Sequence, residues 1–339
     1  MPISDEARQV HDAAIVVDLH ADTPKLISRG YDFTRRHQPP WPLNRFAGHV
    51  DLPRMRAGGL TAQWFGMWTA PYPRKTAAAD VHRQIDAVTA LARTHPHEFR
   101  LAVTAAAIRD AHAAGISVGL LGIEGGQALQ GDLDNLVAFA RRGVRYLGLS
   151  HFSRTEISYP AMGIGRNPNR GLTPFGCEVV EACEELGVLV DLAHVNRRGF
   201  FDALARARGP VIVSHTGVAG VRPSWRNLDD EQIRAVAATG GVVGIIFSPA
   251  YLGGELDAVV EHLVHAINVG GRECVALGSD WDGFIRPARG LESPAQLPHL
   301  TDALLRRGLE PETVQLLLGG NVLRVLDTLE ARHSPIEHT

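Results

Sequence analysis

Cysteine is scarce: Cys177, Cys183 and Cys274 are the only three in 339 residues, and no two stand at CxxC spacing. That excludes a disulfide framework and a thiolate metal cluster. A dominant charge sign is also missing, since 34 Lys and Arg against 37 Asp and Glu leave a formal net charge of −3. Nucleic acid is therefore not an expected partner. No apolar run approaches the roughly 18 residues of a membrane-crossing helix. Residues 1–8 lack the basic and apolar regions of a secretory signal, so no membrane partner and a cytoplasmic setting are expected. No GxGxxG follows the first apolar run, and no phosphate-cradling loop is present. Neither a fixed-period repeat nor a shift in composition divides the chain, which predicts one domain over 1–339.

What is present is a rhythm. Short apolar runs rich in Val, Ile and Leu recur at 15–22, 61–68, 117–125, 144–151, 188–195, 211–217, 241–248 and 274–281. Runs of this length and β-branched content read as strands buried on both faces. Helical patterns lie between them, notably 76–95, 173–186 and 229–239, the last opening on acidic residues as a helix N-terminus does. Strand and helix alternating eight times predict an α/β fold, a (β/α)₈ TIM barrel. Two long βα loops, 31–48 and 152–172, distort the rhythm and are expected to set substrate side-chain specificity. Gly319-Gly320 reads as a turn opening the last helix, and Gly125-Gly126 as a tight βα turn.

The informative feature is how the runs end. His20 and Asp22 close the first, Glu124 the third, His151 the fourth, His194 the fifth, His215 the sixth, and Asp280 with Asp282 the eighth. In a barrel these ends share one mouth, so residues distant in sequence converge. His20 and Asp22 are two apart and face the same side of a strand. They can offer a nitrogen and an oxygen to one metal, His194 and His215 a second pair, and Glu124 two oxygens to bridge. Nitrogen and oxygen donors without thiolate suit zinc, with manganese, iron and cobalt as alternatives. Two such ions about 3.5–4 Å apart activate water and polarise a carbonyl. Asp280 is then the carboxylate left to move a proton.

Each residue also has a plainer reading. A lone strand-end histidine is more often structural, and a carboxylate after a strand commonly caps the next helix. The joint placement favours the metal reading, because polar groups repeatedly closing apolar strands are costly to bury unpartnered.

These residues resemble the membrane (renal) dipeptidase family, peptidase family M19. The similarity runs through Asp18-Leu19-His20-Ala21-Asp22, Ile123-Glu124-Gly125-Gly126, Arg145 to His151, Gly171 to Gly176, Asp191 to Val195, Ser214-His215, Arg226-Asn227, Gly278 to Gly283 and Gly320 to Val325. The resemblance implies two Zn²⁺ per chain, one on His20 and Asp22, one on His194 and His215, with Glu124 bridging. It implies catalytic roles for Asp280, which handles the proton, and for His151, which touches the scissile amide or its oxyanion. It further implies that Arg226 and Asn227 bind a small dipeptide-like substrate, which often carries a D-residue at its C-terminal position. A homodimer rests on the resemblance alone. The sequence departs from the family pattern at Gln127, where the family has His, in the loop 152–170, and at Ile246-Phe247-Ser248-Pro249. Two other readings stay open: a related reaction such as deacylation of N-acyl amino acids, and an inactive metal-binding barrel.

Overall fold

Where the chain concentrates β-branched and apolar residues, the described residues form nine parallel strands. They are β1 (Val16–Ala21), β2 (Leu60–Trp68), β3 (Phe99–Leu101), β4 (Ser117–Glu124), β5 (Val144–Gly148), β6 (Leu189–Asp191), β7 (Ile212–Thr216), β8 (Val242–Ile245) and β9 (Val275–Leu277). The computed structural model describes residues 2–37, 42–70 and 75–333. β1 pairs with β2 on one side and β9 on the other, and β2 pairs directly with β4 from Ala62↔Val118 to Trp68↔Glu124. The remaining neighbours follow in sequence order, closing an eight-strand parallel barrel. All eight expected strands are members of that ring. The ninth, β3, was not expected. It is three residues long and pairs with the foot of β4, Phe99↔Ser117 to Leu101↔Gly119, outside the closed ring.

One buried cluster receives side chains from every ring strand, among them Leu19, Trp64, Leu120, Tyr146, Leu189, Ile212, Val242 and Ala276, and none from β3. A cluster fed by the whole ring and by nothing outside it among the strands is the filled interior of a TIM barrel. A second, larger cluster joins the outward strand faces to the helices. The expected helices form as Ala77–Thr94, Pro174–Glu185 and Asp230–Ala238. Thr173 caps the second by accepting from the Gly176 N–H, and Asp229 with Gln232 forms a capping box on the third.

Several apolar runs outlast their strands. β5, β6 and β9 each stop three residues before His151, His194 and Asp280. His194 and Asp280 then adopt left-handed backbone, with φ of 63° and 62°. Non-glycine residues in that region cost about 1–3 kcal/mol each and persist where surrounding structure holds them. The chain thus leaves the ladder to turn these side chains over the barrel mouth. Gly125, at φ 97°, makes the expected turn. Gly319 departs from expectation: it lies in a π-helical kink, Leu316–Gly320, against β1, where an added Cβ would sit 2.0 Å from the Ile15 carbonyl oxygen.

Candidate metal centre

Glu124, the last residue of β4, is the hub. Its Oε1 lies 3.0 Å from His194 Nε2, 3.3 Å from His215 Nε2, 3.6 Å from His20 Nε2 and 3.7 Å from His151 Nε2. On the other side, His20 Nε2 is 3.3 Å from Asp22 Oδ1 and 3.9 Å from Asp280 Oδ1. His194 and His215 approach within 2.9 Å, Nε2 to Nε2. The structure therefore gathers all five expected ligands and both expected catalytic residues at one place. Three overlapping donor triads can each surround an ion: His20–Glu124–His215, Glu124–His151–His194 and His20–Asp22–Asp280.

The electrostatics of this group call for a cation. Burial pushes the Glu124 and Asp22 carboxyls well above the usual range, with Asp22 and Asp282 the respective next causes. Burial likewise raises Asp280 to about 8. It lowers His151 to about 3 and His194 and His215 well below the ordinary histidine value, leaving neutral imidazoles with lone pairs. His20 Nε2, Asp22 Oδ1 and Glu124 Oε2 are buried without any hydrogen-bond partner. Buried polar atoms are seldom left so, and divalent ions satisfy this set of nitrogen and oxygen donors. The helix-cap alternative for Asp22 does not hold, because its side chain makes no cap hydrogen bond to the helix Thr23–Ile27.

A ring of further residues orients the donors. Tyr146 OH lies 2.9 Å from His20 Nδ1, which turns Nε2 inward. Gly66 and Gly122 make room for this pair. A Cβ at Gly66 would lie 2.4 Å from the His20 ring, and one at Gly122 would lie 2.2 Å from the Tyr146 ring. Ser214 Oγ donates to Asp191 Oδ2 at 2.6 Å, so at 2.9 Å it accepts from His215 Nδ1. That chain of bonds puts the His215 hydrogen on Nδ1 and leaves the Nε2 lone pair facing Glu124. Asp18 similarly accepts from the Ser279 amide, the Ser279 hydroxyl and the Gln63 amide, tying β1 to the segment after β9. Tyr146 and Ser214 fell inside the motifs quoted above, but their task as orienting partners carried no signal in sequence spacing. Asp282 serves the scaffold: its carboxylate accepts from the His49 N–H and the Thr23 hydroxyl.

The centre floors a cavity of about 220 Å³ walled by Trp68, Phe152, Tyr251, Phe284 and Ile285. Drug-sized sites run to roughly 300–1,000 Å³, so this one suits a small substrate. Arg226 is the one Arg or Lys lining it among the described residues. Arg226 is buried, its Nη2 donates to the His215 carbonyl at 2.6 Å, and it makes no ion pair with Asp229 or Asp230; Arg197 takes Asp229 instead. Asn227 is not part of this wall. It gives its amide hydrogens to the Arg222 and Tyr251 carbonyls, pinning the segment that carries Arg226. The two long loops expected to set specificity contribute unequally to the described wall. Phe152 is the only residue of 152–172 on the wall, and no described residue of 31–48 reaches it. Residues 38–41 of that loop lie outside the described residues. The rest of the described wall comes from β2, from the segment after β8 and from the segment after β9. Gln127 is buried and also off the wall.

Comparison with known proteins converges on one family. The family described as membrane dipeptidase (peptidase family M19) matches residues 4–338. A solved dipeptidase and metallo peptidase of that family is 28% identical, with a TM-score of 0.83, over 93% of this chain and 98% of its own. A Rhodobacter sphaeroides metallo peptidase, solved with a phosphinate mimic of the dipeptide L-Ala-D-Ala, is 27% identical at a TM-score of 0.83, over 93% and 99%. A probable dipeptidase, PvdM, from Pseudomonas aeruginosa shares the fold at 19% identity and a TM-score of 0.88, over 96% and 98%.

Proposed function

The chain belongs to the membrane dipeptidase family, peptidase family M19, and is a metallo-dipeptidase; from that premise we propose a two-zinc centre that cleaves small dipeptides and accepts a D-residue at the C-terminal position. The observation that carries the proposal is Glu124, whose one carboxylate stands within 3.7 Å of four imidazole nitrogens on both sides of the site. His20 and Asp22 would hold one ion, His194 and His215 the other, and Glu124 would bridge. When bound, the ions lower the pKa of water and polarise the scissile carbonyl.

The chain's own residues do the rest. Asp280, a buried carboxylate whose Oδ1 lies 3.9 Å from His20 Nε2, accepts a proton from the attacking water and passes it to the leaving amine. His151 stays neutral and can donate one hydrogen bond to the oxygen that gains charge. Arg226 offers its guanidinium fork to the substrate's terminal carboxylate, a geometry that favours bidentate pairing. Tolerance of a D-residue is supported by the ligand of the R. sphaeroides relative.

The test is turnover of the metal-loaded enzyme on matched L-Xaa-L-Xaa and L-Xaa-D-Xaa dipeptides beside N-acyl amino acids. The proposal expects both dipeptide series to be cleaved, and N-acyl compounds at least tenfold more slowly in kcat/KM. Faster cleavage of the N-acyl series would replace dipeptides with those substrates.

A further inference from the structure

A cavity of about 580 Å³ lies beside the catalytic pocket and shares none of its lining residues. The segment after β9 is the wall between them: Gly283, Phe284 and Ile285 face the catalytic pocket, while Arg286, Pro287 and Arg289 face the larger cavity. Five arginines line the cavity, Arg36, Arg45, Arg54, Arg286 and Arg289, against a single carboxylate, Glu292. Two of the five are matched by acids: Arg54 by Asp51 and Arg286 by Glu255. Among the described residues Arg36 and Arg45 form no ion pair, and Arg289 reaches Glu255 only through its backbone N–H, so positive charge outnumbers negative at the cavity. Its floor holds a further donor. His49 is 5% exposed, and its Nδ1 accepts from the Asp282 N–H at 3.1 Å, which places the hydrogen of the neutral ring on Nε2. That Nε2 is buried, with the backbone of Asn44 and Arg45 as its neighbours.

We propose that this cavity is a second binding site, for a small organic anion bearing two or more carboxylate or phosphate groups. Guanidinium forks match both oxyanions bidentately, and three of them unpaired around one hollow favour a multiply charged ligand over a single chloride. The site is independent of the dipeptidase reading, because none of its residues touches the metal centre's donors. His49 and Asp282 exchange two hydrogen bonds, which fix the cavity floor to the segment after β9.

The experiment is isothermal titration of the metal-loaded protein with inorganic phosphate in one arm and glutarate in the other, repeated on the double variant Arg45→Glu/Arg289→Glu. Both side chains are exposed, and neither belongs to the catalytic machinery. The wild type is expected to bind at least one probe at one per chain. The variant should bind it at least tenfold more weakly, while its dipeptide turnover without anion stays within twofold. The arm that binds more tightly identifies phosphate or carboxylate as the chemistry preferred. Failure of both probes to bind, equal binding by the variant, or displacement of the anion by dipeptide would each overturn the proposal, the last by placing the anion on the metal centre. Arg36→Ser, which introduces no acidic charge, repeats the test should the double variant not fold.

Discussion

At the scale of single residues, donors were legible and their supports were not. His20, Asp22, Glu124, His194 and His215 announce themselves because a polar group ending an apolar strand needs a partner, and the four strand ends that carry them share one barrel mouth. Tyr146 and Ser214 give no such signal. A tyrosine or serine in a buried strand is ordinary, and only the coordinates show the hydroxyls 2.9 Å from imidazole nitrogens. The left-handed backbone at His194 and Asp280 was equally silent, since neither sits in a glycine-rich turn that would advertise it. Asp280 carries the sharpest residue-scale prediction. Asp280→Asn keeps the shape and removes the proton acceptor, so kcat should fall by about 10²–10⁴-fold. Metal content should be unchanged by elemental analysis. A variant that retains wild-type kcat would remove Asp280 from the mechanism.

At the scale of elements, the strands were readable because parallel strands buried on both faces are nearly continuous apolar runs. β3 escaped for the opposite reason: Phe99, Arg100 and Leu101 are too few to form a run, and Arg100 is exposed. The expectation that the two long loops shape the catalytic pocket rested on length alone. The described part of 31–48 borders the arginine-lined cavity instead, through Arg36, Asn44, Arg45 and Gly48. Neighbouring strands also cooperate in a way that sequence order hides. Asp191 at the end of β6 receives the Ser214 amide and hydroxyl from β7, and Ser214 in turn fixes His215. Ser214→Ala should therefore leave the barrel intact by circular dichroism while weakening metal binding about 10–100-fold, the usual range for losing an outer partner of a ligand. Unchanged affinity would mean that packing alone sets the His215 ring.

At the scale of the whole molecule, the metal centre is a concentration of buried charge in an otherwise conventional core, and that has a pH signature. In the metal-free protein, Asp22, Glu124 and Asp280 hold protons that the unfolded chain releases near pH 4, Asp280 up to about 8. The folded state binds more protons across that interval, so these groups lower stability as pH rises. His151, His194 and His215 act oppositely: their depressed values cost stability only as pH falls below about 6.5. Between pH 6.5 and 8 the carboxyl effect stands alone. Scanning calorimetry of chelated protein should show Tm falling over that interval, and the metal-loaded protein should not follow it, because cations hold the carboxylates ionised. A flat or rising Tm in the chelated protein would contradict the burial argument.

The most direct test of the two-ion centre is stoichiometry. Chelated protein is reconstituted with zinc, dialysed, and assayed for metal per chain and for dipeptide turnover in the same samples. The account predicts a plateau at two ions per chain, with activity lost on chelation and restored on reloading. A plateau at one ion with full activity, or no retained metal at all, would contradict the bridging role assigned to Glu124.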